Sequence, residues 1–283
     1  MMTSSTLPVI PPDRIDDLHN LEMAATADLV LFMAGNQFMA MDALVHTFQS
    51  VNPEVKNIFF ETLPPGLELK QILAGGAHFR DQRLPGCPDI YTSVNLQGMQ
   101  RLAQEGHIEP GDERLYLHNR LALMVPTGNP AGISSIAELG RDDVRISQPD
   151  PQNEDIAFHI MDMYRQAGGD DLVYRIMETK RAEGTTIFTI VHHRETPLRI
   201  SKRTVDVGPV WATEIIHARA SGLTCDVVEP GPQWDQRDQI NYYVCQLKRA
   251  PNPENAAKFL AFIESPTAQE VYQRYGFLPH TGR

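Results

Sequence analysis

Residues 253–277 read PENAAKFLAFIESPTAQEVYQRYGF, the stretch that says most about the fold. Its first half repeats apolar residues at a spacing of three and four, which places them on one face of a helix. These residues are Ala256, Phe259, Leu260 and Ile263. Ser265-Pro266 then predicts the end of this helix and the cap of a second one, which ends at Gly276. The stretch therefore predicts two closing helices, the first with one buried stripe.

Upstream of these helices, short apolar runs of β-type residues alternate with stretches of helical spacing. Strands are expected at 28–34, 57–62, 88–93, 121–126, 144–147, 185–191, 205–211, 225–228 and 242–247, and helices at 38–50, 67–74, through Met99 and Leu102, and at 133–139, 153–167 and 196–202. Such alternation predicts a parallel sheet with helical crossovers. A second set of strands and helices is inserted in the middle of the chain.

The order of these segments predicts two lobes, the first built from both ends of the chain and the second from its middle. The expected parts are a polar leader at 1–27, lobe one at 28–120 plus 217–283, and lobe two at 121–216. We expect hinges where the chain crosses between the lobes, near 119–123 and 215–220. Ligands of open α/β sheets bind at the carboxyl ends of strands, so we expect the ligand in the cleft between the lobes.

Composition narrows the classes of partner. The chain of 283 residues is long enough for two lobes, and its net charge of −11 argues against binding to nucleic acid or to an anionic membrane. A small anion remains compatible, because a local nest of N–H groups and one arginine can outweigh the overall field. The 3 cysteines form no CxxC motif. The sequence does not decide whether Cys225 and Cys245 form a disulfide or are two free thiols.

The amino terminus lacks the features of a secretory signal. Residues 1–28 contain neither a basic region nor an apolar stretch of the required length, so no signal peptide is predicted in this chain. The longest early apolar run, 29–34, is too short to cross a membrane. A trimmed precursor, a misassigned start and a cytoplasmic protein all remain open.

The amino-acid sequences of several segments are similar to those of a known protein family. The closing helices resemble the carboxyl-terminal end of type II periplasmic solute-binding proteins, the ligand-capturing subunits of ABC importers. Residues 31–37, 119–139 and 206–214 resemble the first strand and its anion-facing turn, the entry into the second lobe, and the strand that returns from it in the molybdate and oxyanion branch. The resemblance covers most of 28–283 and implies a two-lobed α/β fold, with two mixed sheets flanked by helices, a hinge and an interlobe cleft.

The same resemblance implies the function. We expect an extracytoplasmic, periplasmic protein that captures a small anionic ligand, such as a molybdate-like oxyanion or a small carboxylate, by hinge closure. An ABC permease would then receive the ligand. No catalysis, no cofactor and no nucleic-acid partner are implied, and a monomer is expected. A cytoplasmic ligand sensor on the same fold is the alternative.

Site residues follow position by position from the resemblance. Asn36 and Gln37 stand where the branch has a serine and its following N–H groups, and Trp211 stands where it has a tyrosine. Thr92 and Ser93 lie at the second serine-bearing strand end, and Gln152 and Asn153 open the helix that faces the ligand. Glu61 closes the second strand and is either a cleft residue or a turn residue.

A cluster in the middle of the chain, His192-His193-Arg194-Glu195-Thr196, adds further candidates. It lies between a strand and a helix, where backbone N–H groups are expected to face the ligand. Arg194 is suited to clamp a carboxylate or oxyanion with two hydrogen bonds. For His192 and His193, ligand contact, metal binding and ordinary packing stay open. A metal-dependent enzyme that uses His192, His193, Glu195 and Asp206 is a further alternative.

Overall fold

The computed structural model describes residues 6–152, 154–191, 193–234 and 236–280. Its strands are β1 (Val9–Ile10), β2 (Leu18–His19), β3 (Leu29–Phe32), β4 (Ile58–Glu61), β5 (Gly76–Phe79), β6 (Gln82–Pro85), β7 (Ile90–Ser93), β8 (Arg114–His118), β9 (Leu121–Val125), β10 (Ile146–Gln148), β11 (Thr186–Phe188), β12 (Gly208–Trp211), β13 (Asp226–Val228), β14 (Asn241–Gln246) and β15 (Leu278–Pro279). Its α-helices are α1 (Phe38–Val51), α2 (Pro65–Ala74), α3 (Leu96–Gln104), α4 (Ile156–Tyr174), α5 (Lys180–Ala182), α6 (Glu195–Ser201), α7 (Ala212–Ala220), α8 (Pro253–Ile263) and α9 (Pro266–Arg274).

The chain divides into two compact units. Unit 1 comprises the described residues of Met1–His118, Asn241–Arg274 and Leu278–Arg283, and unit 2 those of Asn119–Ile240 and Tyr275–Phe277. The sequence placed the return to the first lobe at 217. In the structure, residues 217–240 stay with unit 2, because β13 pairs antiparallel with β9.

Unit 1 is built on a mixed sheet with the order β15-β8-β14-β7-β3-β4-β2 among the described residues. Its centre is parallel, with β3 between β4 and β7, and β14 runs antiparallel to both β7 and β8. Apolar side chains of the sheet, such as Phe32, Phe59 and Tyr91, pack with Met99 and Leu102 of α3 in one buried cluster. The carboxyl ends of β3, β4 and β7 therefore meet at one edge of the sheet.

The amino-terminal segment, expected from the sequence to be a polar leader, belongs to unit 1 in the structure. Its described residues form β1, which pairs parallel with β5, and β2, which pairs antiparallel with β4. Ile10 and Leu18 are buried, and the ring of His19 stacks on that of Phe60 with 4.1 Å between centroids. The sequence assigned this segment to a polar leader because its two apolar anchors are isolated among polar residues.

Unit 2 contains two small sheets. The order β12-β9-β13 is antiparallel, and β10 pairs parallel with β11. The helix expected at 153–167 continues in α4 beyond a break at Gly168-Gly169, since Gly169 has a φ of 70° and helical structure resumes to Tyr174. Sheets flanked by helices confirm the predicted mixed α/β class. Cys87, Cys225 and Cys245 are free thiols.

Candidate functional site

The turn that follows β3 carries the first candidate residue. Gly35 and Asn36 lie between β3 and α1, and a Cβ atom built on Gly35 would be 2.8 Å from the backbone oxygen of Thr62. Only glycine fits there, so the turn lies directly against the chain that follows β4. Asn36 donates from Nδ2 to the Tyr242 hydroxyl at 2.5 Å, whereas its buried Oδ1 has no hydrogen-bond partner among the described residues.

Thr62 is a second candidate at this edge, directly after Glu61 at the end of β4. Its side chain is 1% exposed, and its Oγ1 also lacks a hydrogen-bond partner within the described chain. Buried polar groups are nearly always hydrogen-bonded in folded proteins, so such exceptions mark places where a ligand or water belongs. The position of Thr62 at the end of a parallel strand was the available signal.

Gln37, in contrast, is fully engaged inside unit 1. Its Oε1 accepts hydrogen bonds from the hydroxyls of Tyr116 and Tyr272, both at 2.7 Å. Its Nε2 donates to Oγ1 of Thr92 at 3.1 Å, and the same oxygen accepts the N–H of Ala34 at 2.7 Å. These two predicted site residues are therefore brought together, and they hold the turn before α1 in place.

The remaining strand-end candidates of unit 1 are also buried. Ser93 accepts the N–H of Asn95 at 3.3 Å, just before α3. Glu61 is fully buried and accepts a hydrogen bond from Nε2 of Gln71 at 3.0 Å. Burial raises the pKa of Glu61 to about 8, against the lowering effect of that hydrogen bond, and burial also raises the pKa of Glu68 well above its usual range. Glu61 is therefore mainly uncharged at neutral pH.

Unit 2 collects charged candidates around His193. This residue has a left-handed φ of 62°, and its Nδ1 lies 2.6 Å from Oε1 of the buried Glu214 near the start of α7. Glu154 is buried close by and accepts a hydrogen bond from the hydroxyl of Thr189. Burial raises the pKa of Glu154 to about 7, while His193 lowers it. The three titratable groups thus influence one another.

A short loop positions this group. Oε2 of Glu195 accepts the N–H groups of Ile190 at 2.5 Å and Val191 at 3.2 Å, so it closes the loop just before α6. Arg194, half-buried, lies between His193 and Glu195. Glu195 therefore holds the loop in place through these two hydrogen bonds.

Thr196 and Trp211 are packed inside unit 2. The Thr196 hydroxyl lies 2.8 Å from the Ser147 hydroxyl. The methyl group of Thr196 packs so closely against Gly208 that a Cβ atom built on this glycine would be 2.3 Å away. Trp211 is 2% exposed at the end of β12, with the ring of His159 edge-on at 6.0 Å.

Gln152 is exposed, and its backbone N–H donates to Asp150 at 2.9 Å. Asn153 and His192 lie outside the described residues. No group of three His, Cys, Asp or Glu side chains suited to a metal ion occurs among the residues that are described. Asp206, the fourth residue of the metal-enzyme alternative, binds the guanidinium of Arg145 at 2.8 and 3.0 Å.

Two sheet-based units of this topology define the class: a type II periplasmic binding protein. The same class is seen in solved structures that cover nearly the whole chain. A periplasmic molybdate-binding protein from Azotobacter vinelandii has a TM-score of 0.68 at 16% identity, over 88% of this chain and 98% of its own. Sulfate-binding SubI from Mycobacterium tuberculosis H37Rv has a TM-score of 0.68 at 15% identity, over 89% and 86%. Iron-bound HitA from Pseudomonas aeruginosa has a TM-score of 0.67 at 15% identity, over 90% and 87%.

Family membership follows from the sequence itself. Residues 29–278 match the sequence model of the bacterial extracellular solute-binding proteins, and the chain belongs to that family. Members of this family capture ligands and are not enzymes. This confirms the expectation from the sequence that the protein does not catalyse a reaction. A comparison with proteins of curated function finds no match. No helix in the described part of the chain is both long enough and apolar enough to cross a membrane.

Proposed function

We propose that this protein captures a small anionic ligand in the extracytoplasmic space and delivers it to the permease of an ABC importer. The family supplies the coarse role of ligand capture. One observation carries the finer proposal: the strand ends of unit 1 hold buried polar side chains, among them Asn36 and Thr62, each with an oxygen that has no partner among the described residues.

Both side chains can become donors to an anion. The amide of Asn36 can turn over, so that Oδ1 accepts from the Tyr242 hydroxyl and Nδ2 becomes available. The hydroxyl of Thr62 can rotate its hydrogen toward the ligand. Glu61 is mainly protonated at neutral pH, so its carboxyl group adds little negative charge at this edge of unit 1.

Unit 2 would supply the positive charge. Arg194 is the proposed clamp for a carboxylate or oxyanion, and His193 beside it can donate a hydrogen bond. The names of two structural neighbours, a molybdate-binding and a sulfate-binding protein, supply the first ligands to try. Asn36 replaces the serine of the oxyanion branch, so we include small carboxylates in the proposed class.

A thermal-shift screen tests this proposal. The probes are molybdate, tungstate, sulfate, a phosphonate, small carboxylates and divalent metals. A ligand at a hundred times its Kd should stabilise the native state by about 2.7 kcal/mol, a shift of several degrees in Tm. Stabilisation by metals alone, or by no probe, would contradict capture of an anion.

Two variants locate the site. Asn36→Ala and Thr62→Val should each weaken binding of the identified anion by about tenfold or more, because each removes one donor from a buried site. Asn57→Ala, an exposed residue, and Thr47→Val, whose hydroxyl bonds its own helix, are the controls and should bind as the wild type does. Equal losses in all four variants would mean that the effect is not local.

Hinge closure is tested separately by small-angle scattering. The radius of gyration should decrease when the identified ligand is added. Identical profiles with and without ligand would remove the hinge mechanism while leaving ligand capture intact.

A further inference from the structure

Two fully buried acids lie beside a buried amide inside unit 1. Glu61 ends β4, and Glu68 and Gln71 lie on α2; all of these side chains are 0% exposed. Residues that are three positions apart on a helix are neighbours on its surface, so Glu68 and Gln71 share the face of α2 that contacts Glu61. We call Glu61, Glu68 and Gln71 the Glu61 cluster.

Hydrogen bonds engage one polar atom of each side chain in the Glu61 cluster. Nε2 of Gln71 donates to Oε1 of Glu61 at 3.0 Å and to the carbonyl oxygen of Pro85 at 2.8 Å. A carbonyl oxygen can only accept, so the amide of Gln71 cannot be turned over. Oε1 of Glu68 accepts the N–H of Leu63 at 3.2 Å. The remaining oxygens, Oε2 of both acids and Oε1 of Gln71, have no hydrogen-bond partner among the described residues.

The Glu61 cluster also lacks a positive charge. Within the described part of the chain, no basic side chain is paired with Glu61 or Glu68. Burial raises the pKa of Glu68 most, and the neighbouring Glu61 raises it further. Asp17 adds to the negative field at Glu68 and is itself paired with Arg14 at 3.3 Å. Acids without a basic partner are rare in protein interiors unless they are protonated or bind a metal ion.

We propose that the Glu61 cluster binds one Ca²⁺ ion inside unit 1. The remaining atoms are all oxygens, the ligand type that hard cations prefer, and two carboxylates balance the charge of a divalent ion. Ca²⁺ accepts irregular sets of carboxylate, amide and water oxygens, whereas Mg²⁺ demands a near-ideal octahedron. The cluster combines two acids with an amide, so it differs from the groups of three His, Cys, Asp or Glu side chains that the described residues lack.

A bound Ca²⁺ ion would join the end of β4 to α2. Thr62, a proposed capture residue, lies in the short connection between these two elements. The ion therefore fixes this connection from both sides without belonging to the capture site, and its binding is a second activity. In a calcium-free buffer the carboxyl groups of Glu61 and Glu68 hold protons instead, so calcium and protons compete for the same oxygens.

Thermal unfolding of the full chain at pH 8 tests the site, after a chelator has removed bound metal and has itself been dialysed away. With a Kd of about 10⁻⁴–10⁻³ M, about 10 mM CaCl₂ should raise the Tm of the wild type by about 3–6 °C over choline chloride at the same ionic strength. Glu61→Gln and Glu68→Gln should each abolish this shift, because each removes a charged ligand. Glu109→Gln, at an exposed acid that pairs with Lys248, is the control and should keep it.

Equilibrium dialysis of the wild type with radioactive calcium is a second measurement, which does not depend on how the variants fold. We expect one tightly held ion per chain, and the absence of such an ion would overturn the proposal. In calcium-free buffer both Gln variants should unfold at a Tm no lower than that of the wild type, because each loses only a buried acid without a basic partner. Equal calcium shifts in the wild type, Glu61→Gln and Glu68→Gln would reveal only general screening of the net charge of −11 and would also overturn the proposal.

Discussion

The two units differ in the kind of polar side chain that they bury. Around Gln37, unit 1 uses uncharged groups that are buried and bonded to one another. Around His193, unit 2 places ionisable side chains, Glu154 and Glu214, close to the histidine. The difference teaches that unit 1 fixes its turn with hydrogen bonds between uncharged groups, whereas unit 2 places ionisable groups close together. Each prediction below tests one side of this comparison.

The largest effect is expected at Gln37. Gln37→Leu leaves the hydroxyls of Tyr116 and Tyr272 and the Thr92 contact without their partner. Each unsatisfied buried group costs about 1–3 kcal/mol, so the free energy of unfolding should fall by about 5 kcal/mol. Urea denaturation measures it. Gln100→Leu, on the exposed side of α3, is the control and should change stability by no more than about 0.5 kcal/mol. A similarly small change for Gln37→Leu would show that the hydrogen bonds of Gln37 do not stabilise the fold.

A somewhat smaller effect is expected at Glu61. Its pKa is raised from 4.5 to about 8, so the folded state keeps a proton that the unfolded state releases, and stability falls as pH rises through this window. Glu61→Gln should remove that slope and stabilise the protein at pH 8 by roughly 4 kcal/mol. Ligand affinity at pH 7 should not change, because Glu61 is mainly protonated there. Glu270→Gln, exposed on α9, should retain the slope; an unchanged slope in Glu61→Gln would mean that Glu61 is ionised in the fold.

Glu154 provides the matched test in unit 2. Its pKa is raised from 4.5 to about 7, so stability is lost with rising pH over this narrower window. Glu154→Gln should add about 3 kcal/mol of stability at pH 8. Unlike Glu61→Gln, it should also flatten the dependence of ligand affinity on pH between 6 and 8, because Glu154 influences His193, the proposed donor to the ligand.

The exposed Glu178→Gln is its control. If Glu61→Gln changed the pH dependence of binding as strongly as Glu154→Gln does, the contrast between the two units would be lost.

The smallest effect on stability is expected at Arg194. Arg194→Ala should change the Tm of the free protein by no more than about 2 °C, yet abolish the shift produced by the identified anion. Arg199→Ala is the matched contrast, because Arg199 holds the carbonyl oxygens of Ile187 and Phe188. It should lower the Tm of the free protein and preserve the ligand-induced shift. The reverse pattern would make Arg194 structural.

Local patterns in the sequence predicted most elements of the fold. The α1 helix was expected at 38–50 and is Phe38–Val51, and β9 was expected at 121–126 and is Leu121–Val125. The sequence did not predict β5 and β6, which form an antiparallel pair. Their residues are short runs with polar side chains, and such edge pairing depends on partners elsewhere in the chain.

The site was less accessible to sequence reasoning, because the decisive contacts are distant along the chain. The position of Gln37 in the sequence is typical of a residue that faces a ligand. Its Oε1, however, accepts hydrogen bonds from Tyr116 and Tyr272, which are 79 and 235 positions away along the chain. The burial of Glu61 depends on β2 and α2, which no local pattern reveals. Thr62 was within reach, since it follows a parallel strand directly.

The pairing of β2 with β4 has a practical consequence for how the protein can be produced. The family match begins at residue 29, so β2 lies outside it, yet β2 covers what would otherwise be the open edge strand of the unit 1 sheet. Open edges invite pairing with other chains. A recombinant chain trimmed to the family boundary should therefore self-associate and precipitate, whereas one that begins before Val9 should remain dispersed.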